Sequence, residues 1–186
     1  TGRRASVSAA PAGSPAMASS LAYFAYGSNL HPLRLLARTP SCVLQCTAHL
    51  AAHVLRFHKR GADRSGKADV IPGGQSDRVH GAVYLMSPAD KSRLDRIEGL
   101  GAGYTHREVT VETPAGPMAA FCYQAMDTHI QPGLAPFAWY RELVLAGARH
   151  HRLPRDYVQA IERVPCVPDP DRGRAARHLD VIDQTA

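Results

Sequence analysis

Two stretches carry residues whose types and placement suit chemistry on a charged small molecule. The first is LAYFAYGSNL, Leu21 to Leu30, in which six strand-like residues run into Gly27-Ser28-Asn29 and then a helix start at His31-Pro32. A strand that empties through a glycine turn onto a helix N-terminus points several backbone N–H groups at one spot, and that spot favours an anion or a developing oxyanion. The second is Glu98, which stands directly before a helix-terminating Gly99. A carboxylate at a helix C-terminus is disfavoured by up to about 1 kcal/mol, and Lys or Arg is the expected residue. Local preferences are broken most often where function requires it. The dipole favours the neutral acid, the direction useful to a group that takes and returns a proton near neutrality. Read as plain structure, the same residues are a strand-ending turn and a solvated helix end. Asp95, one turn earlier, is expected to face solvent beside Arg96. Ser28 has no G-x-S-x-G elbow around it, so a serine nucleophile is not supported. Tyr140 lies with Trp139, Leu143 and Val144 on an amphipathic segment, and from the pattern alone it is a core residue.

Composition narrows the class. A chain of 186 residues with 45% hydrophobic and 20% charged residues predicts one globular domain with a sizeable core. The formal net charge of +6 is spread along the chain and could help attract small anions. No Lys/Arg block with interleaved aromatics points to nucleic acid. Lys59, Arg60, Arg64 and Lys67 form a basic group that would suit a substrate with additional carboxylates, although ordinary surface charge explains it equally. Cys42, Cys46, Cys122 and Cys166 are too few and too scattered for a disulfide framework. Neither they nor His49, His53, His150 and His151 have metal-ligand spacing, so no metal site is expected. No apolar run reaches membrane-spanning length. The expected organisation is a disordered leader over 1–20, a single catalytic domain over 21–165 and a loose C-terminal tail over 166–186.

The elements that must position these residues follow from periodicity. Ala22–Tyr26 reads as a buried strand, and His31–Arg38 as a short helix with Leu33, Leu35 and Leu36 on its apolar side. Cys42–Phe57 predicts one bent strand or two short ones, Lys59–Lys67 a mobile charged loop, and Ala68–Ile71 a brief strand. Arg78–Met86 alternates as a strand. Ser87-Pro88 with Asp90 opens a helix that buries Leu94 and Ile97 and ends at Glu98-Gly99. Tyr104–Glu112 and Met118–Ala125 form a hairpin about Pro114–Pro117. A helix over Pro136–Ala148 and a shorter one after Pro154 follow. That order predicts an α+β fold, a small mixed and mostly antiparallel β-barrel with a few flanking helices.

YFAYGSNL, VHGAVYLM followed by LDRIEG, GYTHREVTV and WYRELVLAGARHHRLPRDY together resemble the γ-glutamylcyclotransferases, from about Leu21 to Val164. The resemblance implies a barrel-based α+β fold, no metal or organic cofactor and a cytoplasmic setting. It implies cyclisation of a γ-glutamyl substrate to 5-oxoproline with release of an amino acid or amine. The family's catalytic glutamate falls on Glu98. Its substrate-holding segment falls on Tyr23, Phe24, Ala25, Tyr26, Gly27 and Ser28, with a further contact on Tyr140. The partner so implied is a small γ-glutamyl molecule, with no nucleic acid and no membrane, and a homodimer is left open. The YGSNL form is more like the enzymes acting on γ-glutamyl amino acids. Action on glutathione, a γ-glutamylamine or a pathway-specific conjugate is the alternative within the fold, and a non-catalytic γ-glutamyl-binding module is the alternative outside catalysis.

Overall fold

The computed structural model describes residues 20–184. The expected leader over 1–20 therefore lies outside the described residues, apart from Ser20. Strands β1 (Leu21–Ala25), β2 (Val43–Ala51), β5 (Arg78–Met86), β6 (Tyr104–Thr113) and β7 (Gly116–Ala125) close into a barrel in the order β1-β5-β2-β6-β7. Every pairing is antiparallel except that of β1 with β7. Strands β3 (His53–Arg60) and β4 (Gly66–Pro72) form a separate two-stranded ribbon. Three side chains tie that ribbon to the barrel: Tyr104 Oη donates to Ala68 O at 2.7 Å, Gln124 Nε2 donates to Val70 O at 2.9 Å, and Asp69 Oδ1 accepts from Ala125 N at 2.7 Å. Phe24, Val79, Val83 and Val111 are fully buried in the core, each such burial contributing about 1.5–3 kcal/mol.

Among the described residues five α-helices flank the sheets: α1 (Pro32–Arg38), α2 (Pro88–Glu98), α3 (Ala138–His150), α4 (Arg155–Glu162) and α5 (Arg172–Asp183). Helix α2 starts as its sequence predicts, Ser87 Oγ accepting from Asp90 N with Pro88 in the first turn. Gly99 closes it with φ 70, a left-handed cap that glycine adopts without Cβ strain. No helix among the described residues is long and apolar enough to cross a membrane.

The structure corrects several expectations. The mobile loop over Lys59–Lys67 is instead a tight hairpin tip, with Gly61 N donating to Ser65 O and Arg64 N to Gly61 O, both at 2.9 Å. Leu36 and Ile97 are 46% and 43% exposed, so Leu35 and Leu94 alone anchor the buried sides of their helices. Asp95 does not face solvent freely; it accepts from the Tyr123 hydroxyl at 2.7 Å and pairs with Lys91 at 2.8 Å. The expected loose tail over 166–186 contains α5, which packs on α3. His178 stacks on the Trp139 ring at 3.9 Å, and the indole Nε1 donates to buried Asp169 at 2.7 Å. Arg174 grips the same carboxylate through two bonds and holds it well below the usual carboxylate range. Pro- and Asp-rich sequence reads as a loop, but here Asp171 caps the helix by accepting from Arg174 N.

Candidate active site

The end of β1, the C-terminus of α2, the start of α3 and the ribbon's hairpin tip meet around one cleft of about 590 Å³. Its floor opens onto an inner pocket of about 20 Å³ lined by tyrosines 23, 26, 104, 123 and 140. Ser28, Glu98, Tyr104 and Tyr140 line both spaces and so stand where they join. Of the expected site residues, Glu98, Tyr23, Tyr26, Gly27, Ser28 and Tyr140 are brought together here. Phe24 and Ala25 are not: both are fully buried and line neither space. Tyr23 and Tyr26 would point to opposite sides of a continuous strand, but β1 ends at Ala25, so Tyr26 is released from the alternation.

Glu98 is not a solvated helix end. Arg38, in the last turn of α1, donates from Nη1 to Glu98 Oε1 at 2.7 Å, and Asn29 Nδ2 donates to the same oxygen at 2.9 Å. The guanidinium thus offsets the unfavourable charge at the α2 C-terminus. Asn29 also donates to the Tyr23 hydroxyl at 3.0 Å and accepts from Arg38 Nη1 at 2.7 Å. Oε1 is occupied twice, whereas Oε2 makes no hydrogen bond among the described residues. The carboxylate is held by one edge and open at the other.

The tyrosines are fixed as neutral groups. Burial pushes the hydroxyls of Tyr23, Tyr26, Tyr104 and Tyr140 above the usual tyrosine range. Tyr140 Oη accepts from Ala68 N at 3.0 Å, and the Tyr26 hydroxyl donates to the Tyr123 carbonyl. The N–H groups of Gly27 and Ser28 make no hydrogen bond among the described residues, and Ser28 Oγ accepts from Arg34 Nε at 3.2 Å. Arg34 also donates to His178 Nδ1 at 3.2 Å, so α5 reaches the rim. Burial lowers the Arg34 pKa to about 10.

Sequence reasoning named neither Arg38 nor Tyr104 for this site. A helix-end arginine and a strand tyrosine carry no local signature, and only the packing of α1 on α2 and of β6 on the ribbon brings them in. His129 lines the outer cleft but not the junction.

The sequence pattern of the AIG2-like family matches residues 78–161. The γ-glutamylcyclotransferase of Bos taurus is 31% identical over 169 residues, spanning 88% of this chain and 87% of that protein. That of Homo sapiens is 29% identical over 168 residues, spanning 88% and 87%. A solved structure titled as a gamma-glutamyl cyclotransferase superposes with a TM-score of 0.78 at 27% identity, covering 89% of this chain and 99% of that one. At that identity and coverage, the chain belongs to the γ-glutamylcyclotransferase family.

Proposed function

We infer that the protein is a γ-glutamylcyclotransferase and that Glu98 moves the protons of its reaction. The observation that carries this reading is that, among the described residues, Glu98 is the one carboxylate lining the junction of cleft and inner pocket, with Oε2 open. The substrate supplies its own nucleophile, so the protein has only to fold the γ-glutamyl chain back and transfer protons. The α-amine arrives as an ammonium. Glu98 removes a proton, the amine nitrogen bonds to the γ-carbonyl carbon, and a tetrahedral oxyanion forms. Collapse breaks the original amide C–N bond as the carboxyl returns its proton to the leaving nitrogen, and the ring nitrogen gives up its second proton, which the released amine takes up as an ammonium. The products are 5-oxoproline and a free amine, with no water consumed.

Holding amine against carbonyl exploits effective molarities that reach about 10⁵–10⁸ M in well-oriented cases. The free N–H groups of Gly27 and Ser28 suit the oxyanion or the α-carboxylate, and Tyr23, Tyr26 and Tyr140 wall the reacting end. The neutral tyrosines are poor bases at physiological pH. His129, confined to the outer wall, is poorly placed to compete with Glu98.

The substrates we assign are γ-glutamyl amino acids in preference to glutathione or γ-glutamylamines. The setting we assign is cytoplasmic, which the four free thiols suit. Incubation with γ-glutamyl-alanine, glutathione and γ-glutamyl-lysine, with 5-oxoproline measured, tests the reading. Product from γ-glutamyl-alanine above the other two is expected. No product from any of them would leave a ligand-binding module instead.

A further inference from the structure

The outer wall of the cleft carries more positive charge than an ordinary γ-glutamyl amino acid neutralises. Arg34, Arg38, Lys59, Arg60, Arg64 and Lys67 all line it, against the single carboxylate of Glu98. Arg38 is matched by Glu98 and Lys67 by Asp63, each at 2.7 Å. The other four form no ion pair among the described residues.

Lys59 is the most informative of them. It is only 8% exposed, and its ammonium lies 4.4 Å from the centroid of the Tyr104 ring. The stem is buried while the ammonium reaches the cleft beside an aromatic face rather than a carboxylate, so its charge is only partly offset. A substrate carboxylate entering the cleft would supply the missing partner. Arg60 and Arg64 are exposed at the neighbouring tip. That tip is ordered: Ser65 N and Oγ both donate to Asp63 Oδ1, at 3.1 and 2.9 Å, in addition to the two backbone bonds across it. Arg64 is held at φ 63, a conformation glycine would adopt with less strain.

The inner pocket, at about 20 Å³, has room for roughly one water-sized group. The body of the substrate must therefore lie in the cleft, its reacting end at the junction and its released half along the basic wall. An ordinary γ-glutamyl amino acid brings two carboxylates, and its ammonium faces Glu98. Two unmatched cations remain beyond what those carboxylates need.

We propose, resting on the cyclotransferase reading above, that the cleft selects γ-glutamyl compounds whose released amino acid carries an additional carboxylate, as in γ-glutamyl-glutamate and γ-glutamyl-aspartate. Lys59, Arg60 and Arg64 are the specificity-determining residues that receive it.

The test is kcat/KM for γ-glutamyl-glutamate, γ-glutamyl-alanine and γ-glutamyl-lysine, followed by 5-oxoproline release at low and high salt. The glutamate substrate should exceed the alanine substrate by about tenfold, the size of one charge-assisted hydrogen bond, and the gap should narrow with salt. Lys59→Met should lower the preference by about the same factor, chiefly through KM for the acidic substrate. Arg60→Glu with Arg64→Glu, at exposed positions, should reduce the preference even if Lys59→Met fails to fold. Equal kcat/KM for the glutamate and alanine substrates, or variants that lower both alike, would overturn the proposal while the cyclotransferase reading stood. Absence of 5-oxoproline from all three would overturn the reading beneath it.

Discussion

Asn29 divides its amide between two neighbours, one being Glu98 Oε1 and the other the Tyr23 hydroxyl, while its oxygen takes a bond from Arg38. Such a residue fixes the direction in which Glu98 presents Oε2. Asn29→Ala should therefore lower kcat by about tenfold to a hundredfold, since displacements near 1 Å cost that much in oriented reactions, and should move KM less. Steady-state kinetics on γ-glutamyl-alanine checks it, and an unchanged kcat would remove Asn29 from the positioning role. Glu98 was legible in the sequence because it violates a helix-end preference, and the Gly27-Ser28 turn because of its strand–glycine–helix setting. Arg38 was not, because an arginine in a last helical turn satisfies the dipole and draws no attention. Phe24 and Ala25 are fully buried and line neither space, since strand geometry brings only particular members of that contiguous stretch to the cleft.

At the scale of elements, the site depends on how closely α3 lies against the turn after β1. A Cβ added at Gly147 would stand 2.6 Å from Leu30 C and 2.7 Å from His31 N, both backbone atoms. Gly147→Ala should push α3 away, destabilise the fold by about 1–3 kcal/mol and lower the melting temperature by several degrees. It should also displace Tyr140, which α3 carries. An unchanged melting curve would mean the helix and turn stand farther apart than described. The strands, the hairpin and the start and stop of α2 were legible from alternation and capping. Two elements were not. The ribbon tip is charged and glycine-containing, which reads as mobile, and its order comes from the Asp63 and Ser65 bonds that only the folded turn forms. Helix α5 has an unremarkable sequence, and its place is set by Trp139 stacking on His178 and by Asp169, contacts over 30 residues or more.

At the scale of the molecule, several histidines fold into places that exclude a proton. His151 is 8% exposed, its Nε2 lying 3.1 Å from Leu30 O and 2.8 Å from the Tyr84 hydroxyl. Burial, aided by His150, lowers its pKa from 6.5 to about 4. His178 is lowered to about 4 by burial and by the cations of Arg34 and Arg38. The folded state then binds fewer protons than the unfolded chain between those values. The stability so contributed is fully present above about pH 6.5 and is lost as pH falls toward 4, on the order of 3 kcal/mol for a complete shift at His151. Melting temperatures recorded from neutral pH downward should fall through that window, and His151→Gln should flatten the slope. A profile that is level there in the parent protein would contradict the burial of these rings. Barrel closure by the parallel β1–β7 pair was the part of the architecture beyond local patterning, because it joins chain segments some 100 residues apart.

The central claim is that Glu98 both takes and returns the proton. In Glu98→Gln the side-chain oxygen can still accept from Arg38 and Asn29, so the cleft should keep its shape and its affinity for γ-glutamyl-alanine. The direct measurement is 5-oxoproline release by the parent protein and by Glu98→Gln, with substrate binding followed in both. The parent should convert γ-glutamyl-alanine, and the variant should bind it yet lose about 10²–10⁴-fold in kcat, the range for a general acid–base group. Undiminished turnover by Glu98→Gln would contradict the claim.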